Sequence, residues 1–416
     1  MNTKKIKIMI IGDHILSPSG VGTQIKHMVD FLHKTGKYQF ICLGGAIKHP
    51  DYRPQKIDLY GEDLIIYPVD GYGNQDIIRS VLRTQKPDIL WFMTDPRFYD
   101  WLWDIEDEIR ACVPMVYYHV WDNYPYPKFN KPFYDSNDVI VSISKLTSDI
   151  VKTVAPNVQE LYLPHSVDTN IFTKYDSQEL AQFKSENFQN KFVVFWNSRN
   201  AKRKMSGSVL WWFADFLNKV GKDKASLLMH TDPKDPNGQD LEAILNELDL
   251  VNGEVKFSAS RISQQEMSLL YNVADVTVNI SDAEGFGLSC LESLACETPV
   301  IANLTGGLTE QIRNDRGDTF GIAIKSSSSA IIGSQQVPFI YEDRVSKEDF
   351  ISALETMYNM TKEKRSELGK KGREHIIENY NPDIFLPKWD ELFTKIYNEL
   401  GSWETRKHAN WTLKKV

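Results

Sequence analysis

Residues 274–312 read ADVTVNISDAEGFGLSCLESLACETPVIANLTGGLTEQI. An apolar, β-branched run opens this stretch and predicts a buried strand, and an apolar helical pattern begins at Leu288. Between them lies a short loop, residues 281–287, which we call the EGFG loop. Glycines where a strand opens onto a helix expose backbone N–H groups at the positive end of the helix dipole, and this favours an anionic oxygen. The stretch therefore predicts half of a phosphate site in a parallel α/β unit.

Two carboxylates accompany this loop. Glu284 lies within it, and Glu292 follows eight positions later in the predicted helix. Carboxylates accept hydrogen bonds from vicinal hydroxyls, so the pair indicates a ligand with sugars near its phosphates. Taken alone, however, an EGFG sequence is also typical of an ordinary turn, with Glu292 as a solvated helix residue.

The rest of the chain repeats the strand-and-helix alternation of this stretch, which is the signature of parallel sheets covered by helices. The alternation runs from Ile6 to Leu163, restarts after Phe172 and gives way to helices beyond Ser346. The expected strands are Ile6–Ile11, Tyr38–Leu43, Leu64–Val69, Asp88–Met93, Met115–Tyr118, Val139–Ser142, Glu160–Leu163, Phe192–Trp196, Ser226–Met229, Glu254–Phe257, Val276–Ile280 and Pro299–Ala302. Two doubly wound units are predicted, joined by a polar segment that ends near Asn190.

The composition narrows the class of protein. Of the 416 residues, 42% are hydrophobic and 25% charged, which excludes a disordered or fibrous chain. The net charge of -8 argues against a broad nucleic-acid surface. The four cysteines form no CxxC pair, so neither a zinc knuckle nor a disulfide framework is expected. The first apolar run, Ile6–Ile11, is too short for a signal peptide or a membrane span, and we expect a cytoplasmic protein.

A basic loop, residues 198–204, follows the first strand of the second unit. It holds Arg199, Lys202, Arg203 and Lys204 at the carboxyl edge of the predicted sheet, where such sheets bind ligands. A departing diphosphate leaves negative charge that a metal or cationic side chains must stabilise. Because the chain has no Asp-x-Asp motif, we expect no metal at the site. The alternative is a solvated basic loop without a ligand.

Gly20 and Gly22 lie between the first strand and the first helix. A GxG before a helix is weak support for a dinucleotide loop. The nicotinamide interpretation fails because the loop is long, Ile25 occupies the place of the third glycine, and Gly44 and Gly45 follow the second strand where an acidic residue is required.

The stretch EGFGLSCLE at 284–292 resembles the E-x7-E element of the retaining glycosyltransferases of family 4. The flanking ADV at 274–276, ETPVIA at 297–302 and GGLTE at 306–310 resemble the same family. The resemblance implies an α/β fold of GT-B architecture, two facing Rossmann-like doubly wound domains with a C-terminal helix crossing back to the N-terminal domain.

This fold divides the chain into two predicted domains. The N-terminal acceptor domain spans 1–175 and is completed by helices at about 381–416. The nucleotide-sugar donor domain spans 176–380.

The resemblance also implies the donor-binding residues. Glu284 contacts the hydroxyls of the donor sugar, and Glu292 holds the ribose hydroxyls. Backbone groups are offered to the sugar and the diphosphate by Gly285, Phe286, Gly287 and Leu288, and in the first domain by Gly20 and Gly22.

Arg199 and Lys204 match the Arg and Lys that the family spaces five residues apart, and they stabilise the leaving group. Ser198 and Met205 stand where the family usually or commonly has glycine, which puts the geometry of the basic loop in question.

His119 ends the fifth predicted strand. A single histidine at a strand end is typical of a hydrogen-bonded structural residue. The family commonly has a histidine here, close to the donor sugar, and we therefore predict a catalytic role. Asp122 and Tyr124 are weaker candidates for contact with the acceptor.

The sequence thus predicts a metal-independent retaining glycosyltransferase that moves a sugar from a nucleoside-diphosphate sugar to an acceptor hydroxyl, with no cofactor beyond that donor. Two alternatives stay open: a catalytically inactive sugar-nucleotide-binding or assembly protein, and a sugar-nucleotide epimerase of the same fold. The donor base, the donor sugar, the acceptor and the oligomeric state are not specified. The basic stretch 403–416 leaves peripheral membrane contact open.

Overall fold

The computed structural model of the protein describes residues 4–123 and 126–407. These residues form two compact units. The first contains residues 4–121, 126–164 and 383–407, and the second contains residues 122–123 and 165–382. The division expected from the sequence at residue 175 differs from this one, because residues 165–175 belong to the second unit.

In chain order, the strands are β1 (Ile6–Asp13), β2 (Tyr38–Gly45), β3 (Gln55–Lys56), β4 (Leu64–Pro68), β5 (Ile89–Met93), β6 (Met115–His119), β7 (Val139–Ser142), β8 (Gln159–Tyr162), β9 (Phe192–Asn197), β10 (Ala225–His230), β11 (Val255–Ser258), β12 (Val276–Asn279), β13 (Val300–Asn303), β14 (Gly321–Ile324), β15 (Ser328–Ile332) and β16 (Ile340–Arg344). The helices are α1 (Gly20–Lys34), α2 (Gln75–Gln85), α3 (Asp100–Trp103), α4 (Glu106–Arg110), α5 (Lys131–Asp135), α6 (Lys145–Val154), α7 (Gln178–Phe188), α8 (Ser206–Val220), α9 (Leu241–Glu247), α10 (Gln264–Val273), α11 (Leu288–Ala295), α12 (Leu308–Ile312), α13 (Lys347–Asn359), α14 (Lys362–Tyr380) and α15 (Pro382–Leu400).

The first unit is built on a sheet of eight strands in the order β3-β4-β2-β1-β5-β6-β7-β8. All its strand pairs are parallel except that of β3 with β4. The inner strands β5, β6 and β7 are buried along their whole length, because a parallel sheet covered on both faces buries both sets of side chains.

Helix α15 returns from the end of the chain to the first unit. The Trp389 ring packs edge-on against Tyr118 and Trp91, with centroid separations of 5.0 and 5.9 Å. Pro387 lies inside this continuous helix, although a proline usually breaks or kinks a helix. The packing of its buried aromatic face outweighs the one backbone hydrogen bond that a proline removes.

The second unit has a parallel sheet of six strands in the order β11-β10-β9-β12-β13-β14. Its core lies between this sheet and helices α8 and α13, with Phe213, Phe216 and Phe350 fully buried. A separate antiparallel hairpin, β15–β16, follows β14.

The expected α/β class, with its doubly wound parallel sheets, is confirmed, and every strand predicted from the sequence is present. The polar segment before Asn190 contains helix α7, and the serine-rich stretch at 326–329 enters strand β15. In the part of the chain that the structure describes, no helix has both the length and the apolar character needed to cross a bilayer.

Candidate functional site

The EGFG loop joins β12 to α11 and leaves the start of that helix uncapped. Gly287 is the N-cap residue, with a φ of 94°, and no described side chain makes a cap hydrogen bond there. A Cβ atom at Gly287 would lie 2.4 Å from Cδ2 of Leu308, so both the backbone angle and the surroundings require glycine. Gly285 and Leu288 are partly exposed beside this helix end. Such an uncapped N-terminus favours an anionic oxygen.

A second loop, residues 303–307, packs directly on the first, and we call it the GG loop. The Gly307 amide donates to the carbonyl oxygen of Glu284 at 3.1 Å. Gly306 has a φ of 50°, and a Cβ atom there would lie 1.9 Å from the same oxygen. Only glycine allows this backbone-to-backbone approach, which fixes the position of Glu284.

Phe286 anchors the EGFG loop with its side chain. Its buried ring makes edge-on contacts with His165 and Tyr380, at centroid separations of 4.9 and 5.8 Å. Its carbonyl oxygen accepts a hydrogen bond from the Gln311 side chain at 2.5 Å. Phe286 therefore holds the loop in place from the core side, while the neighbouring Gly285 stays partly exposed.

Lys204 and Glu284 meet in a buried ion pair. The Lys204 ammonium contacts Oε2 of Glu284, and Nη1 of Arg203 lies 3.8 Å from the same oxygen. Burial acts to raise the pKa of Glu284, but the two cations outweigh it and the pKa is lowered. Burial lowers the pKa of Lys204, and Glu284 opposes that change. The structure thus brings together the predicted Lys204 and Glu284 and adds Arg203 to them.

Glu292 lies one turn inside α11 in a different environment. The Tyr271 hydroxyl donates to its Oε2 at 2.7 Å and accepts from Nδ2 of Asn197 at 2.8 Å. Burial raises the pKa of Glu292 to about 7, and the tyrosine hydrogen bond opposes part of this rise. The carboxylate is therefore oriented by a hydrogen-bonded chain that begins at the end of β9.

Arg199 does not join the Lys204–Glu284 pair. It forms two hydrogen bonds with Asp235, from Nε at 2.6 Å and from Nη2 at 3.3 Å, and its side chain is 66% exposed. The Asp235 contact raises the pKa of Arg199 and lowers that of Asp235. Arg199 is thus a surface cation held by a carboxylate.

Met205 settles the geometry of the basic loop. It has a φ of 57° and a ψ of 29°, in the left-handed region, and it directly precedes α8. A methionine therefore adopts a left-handed conformation that favours glycine, at a cost of about 1–2 kcal/mol.

Gly20 and Gly22 lie at the start of α1 in the first unit. The Gly22 amide donates to the hydroxyl of the N-cap residue Ser19 at 3.0 Å. A Cβ atom at Gly22 would lie 2.8 Å from the carbonyl oxygen of Ser17. Gly22 therefore has a packing and capping role in this structure, and its amide already has an acceptor.

His119 is completely buried in the first unit. Its Nδ1 accepts from the Trp121 amide at 3.0 Å, so in the neutral ring the proton lies on Nε2. That Nε2 has no hydrogen-bond partner among the described residues. Burial lowers the pKa of His119 to about 3, so the ring is neutral near pH 7 and can act there as a hydrogen-bond donor.

Asp122 belongs to the second unit, where its charge acts on Arg203 and Lys204. A Cβ atom on Gly306 would lie 3.7 Å from Cβ of Asp122. Tyr124, the other predicted acceptor residue, lies outside the described residues. Across the ranges 4–123 and 126–407, no group of three or more His, Cys, Asp and Glu side chains is arranged to hold a metal ion.

Sequence reasoning missed three contributors to this site. Arg203 was visible as one of four basic residues, but nothing in the pattern ranked it above Arg199. Tyr271 lies in a helix and Asp235 lies in a loop, and neither belongs to a recognisable motif. Their roles depend on which side chains the folded chain places opposite them.

The chain is similar in sequence to known proteins over part of its length. Residues 237–375 match the family model for glycosyl transferases group 1. Over 269 residues, 64% of the chain, the sequence is 24% identical to N-acetyl-alpha-D-glucosaminyl L-malate synthase of Bacillus anthracis, and the match covers 61% of that enzyme's length.

Two solved structures share the fold. Sucrose-phosphate synthase from Thermosynechococcus elongatus has a TM-score of 0.75 and 14% identity, over 95% of this chain and 100% of that one. Anabaena HepE in complex with UDP and glucose has a TM-score of 0.70 and 14% identity, over 94% and 100%. The chain therefore has the GT-B fold.

Proposed function

We propose that the protein is a retaining glycosyltransferase of family 4 that transfers a hexosyl group from a nucleoside-diphosphate sugar to an acceptor hydroxyl. The observation that carries this proposal is the buried Lys204–Glu284 pair beside the uncapped N-terminus of α11. A cation, a carboxylate and open backbone amides then lie together, and these are the groups that a sugar diphosphate needs.

In this proposal the diphosphate binds at the start of α11. Lys204 and Arg203 supply positive charge, and Gly285 and Leu288 supply backbone groups. Arg199 joins them by exchanging Asp235 for a phosphate oxygen. The ion pair that holds Arg199 is exposed, so breaking it costs about 1 kcal/mol or less. The cations stabilise the charge that develops as the glycosidic bond to the diphosphate breaks.

Glu292 is the proposed ligand of the ribose hydroxyls. Its carboxylate is oriented by Tyr271 and lies in the same helix whose N-terminus receives the phosphates. In this proposal, Glu292 binds the nucleoside of the ligand and the N-terminus of α11 binds its diphosphate.

The ion pair between Glu284 and Lys204 affects which mechanism we propose. A carboxylate that is engaged by Lys204 and has a lowered pKa is a weak nucleophile, so a covalent glycosyl-enzyme intermediate is disfavoured. We propose instead that the acceptor attacks from the face that the diphosphate leaves, with retention of configuration. Glu284 then holds the donor sugar, and a catalytic role for His119, whose ring is neutral near pH 7, is part of the proposal.

We propose that no metal and no cofactor take part, since side-chain cations can stabilise the leaving group. We also propose a cytoplasmic location, with which the four free cysteine thiols are consistent. UDP-glucose is the first donor to test, because HepE was solved with UDP and glucose.

The test is a donor screen followed by product analysis. UDP-, GDP- and ADP-sugars are first ranked by the rise in melting temperature that each produces. The best donor is then assayed for release of nucleoside diphosphate with and without a chelator, and the anomeric configuration of the product is read by NMR.

Replacement of both Arg199 and Lys204 by alanine should abolish turnover. Intact turnover in this double variant, or an inverted product, would contradict the mechanism. Tight donor binding without any transfer or hydrolysis would favour an inactive binding protein, and an altered free nucleotide sugar would favour an epimerase.

A further inference from the structure

The β15–β16 hairpin reaches both loops of the proposed donor site through one residue, Asp343. Strand β16 carries Asp343 opposite Ser329 of β15. The Asp343 amide donates to the carbonyl oxygen of Asp282, in the EGFG loop, at 2.8 Å. Its carboxylate Oδ2 accepts from the Thr305 hydroxyl, in the GG loop, at 2.9 Å. A single residue thus bonds to the EGFG loop with its backbone and to the GG loop with its side chain.

The two attachment points lie next to the groups that bind the donor in our proposal. Asp282 precedes Glu284 by two residues, and Thr305 immediately precedes Gly306. Gly306 and Glu284 are in backbone contact, so the separation of the loops sets where the Glu284 carboxylate lies. A shift of Thr305 would therefore be transmitted directly to Glu284.

Neighbouring polar groups complete this arrangement. The Asn303 side-chain amide donates to the carbonyl oxygens of Asp343 and Ser281, at 2.8 and 3.0 Å. Thr305, Asn303 and Ser281 are all buried. The bond from the Thr305 hydroxyl to the Asp343 carboxylate is of a stronger kind than a bond between neutral groups, and the Asn303 bonds to backbone oxygens add to it in holding the two loops together.

We infer that Asp343 is a positioning residue for sugar-nucleotide turnover, acting through Thr305 to fix the EGFG and GG loops against each other. This inference rests on the proposed function for its catalytic consequence, but its structural part does not. Asp343 makes no contribution of its own to the chemistry. It acts by holding Glu284 in the geometry that the donor requires. A displacement of a binding group by about 1 Å can reduce turnover by about a hundredfold.

The test compares two substitutions at one position. Thr305→Val keeps the branched shape and removes the hydroxyl, whereas Thr305→Ser keeps the hydroxyl and removes the methyl group. Ser329→Ala is the matched control on the hairpin, since the Ser329 hydroxyl also donates to the Asp343 carboxylate, at 2.8 Å, but does not belong to either loop.

Hydrogen–deuterium exchange of residues 281–288 and 303–308 is measured on the full chain without substrate. Thr305→Val should speed exchange in both segments by roughly tenfold, because a charge-assisted hydrogen bond is lost. Thr305→Ser should speed it much less, and Ser329→Ala should leave it unchanged. Asp343→Ala, which removes the shared acceptor, should reproduce the effect of Thr305→Val.

The activity measurement follows with the best donor. Thr305→Val should lower kcat by roughly tenfold with a smaller change in the donor KM, while melting temperature is recorded for each variant. Wild-type exchange in Thr305→Val, or equal loosening in Ser329→Ala, would overturn the inference. Because exchange needs no substrate, this result is separable from a failure of the proposed transfer reaction.

Discussion

Glu292→Gln should make the free protein more stable while weakening its binding of a nucleoside diphosphate. The substitution keeps the shape of the side chain, and the amide oxygen can still accept the Tyr271 hydrogen bond. It removes the one property that burial penalises, the negative charge. The two effects have opposite signs because the charge serves the ligand and not the fold.

The size of the effect follows from the pKa. Burial raises the pKa of Glu292 from 4.5 to about 7, and each unit of difference corresponds to about 1.4 kcal/mol. The folded state binds the proton more tightly than the unfolded chain does. This group's contribution to the free energy of unfolding is therefore fully present below pH 4.5 and is lost as the pH rises to about 7.

At pH 8 the Glu292→Gln variant should be more stable than the wild type by about 2–3 kcal/mol, and at pH 5 by about 1 kcal/mol or less. In the wild type, UDP should bind more tightly as the pH rises through 7, because the ribose hydroxyls prefer an ionised carboxylate. The variant should lose this pH dependence and bind UDP roughly tenfold or more weakly.

Urea unfolding and UDP calorimetry at pH 5 and pH 8 measure both effects. Glu247→Gln, an exposed glutamate of α9, is the control for a simple change of charge. If Glu292→Gln is no more stable than the wild type at pH 8, the carboxylate is not desolvated as described and the reasoning fails. If it is more stable but binds UDP normally, Glu292 is not the ribose ligand.

Three further perturbations test the site. Gly306→Ala should cost more than 2 kcal/mol of unfolding free energy and abolish UDP binding, since its Cβ would lie 1.9 Å from a backbone oxygen. Gly317→Ala, with a φ of 88° and open surroundings, should cost only about 1 kcal/mol, and equal losses in urea unfolding would contradict this account. Lys204→Met should destabilise the protein by up to about 3–5 kcal/mol, because it removes the nearer of two cations from a buried carboxylate; a loss under about 1 kcal/mol would show that the pair is solvated. Asp235→Asn should leave stability within about 0.5 kcal/mol while UDP binds a few-fold tighter in calorimetry, because Arg199 no longer has a competing carboxylate; weaker binding would count against a phosphate role for Arg199.

The match to the glycosyl transferases group 1 model covers only part of the chain. The matched segment 237–375 includes the EGFG loop, the GG loop and the hairpin that carries Asp343. The first unit, in which the acceptor is expected to bind, lies outside that segment. The comparisons therefore cover a part of the chain that carries two loops of the proposed donor site, and the acceptor must be found by experiment.

Local sequence was sufficient for most strands of the two parallel sheets and for the loops that carry charge. Strand β12, the EGFG loop and α11 follow from a β-branched run, two glycines and an apolar helical period, all within a short stretch. Lys204 and Glu284 were expected at one site because both follow strands of the same parallel sheet, whose carboxyl ends lie at one edge. These features depend on neighbours in the chain or on the topology of the sheet.

Tertiary structure decided how the charged groups pair. Arg199 and Arg203 lie in the same basic loop, yet one meets Asp235 and the other approaches Glu284. The elevated pKa of Glu292 and the contact of Asp343 with Thr305 likewise depend on residues distant in the chain. Pairing of this kind is set by burial and by distances of a few ångströms between separate segments, and no local pattern of residues encodes those distances.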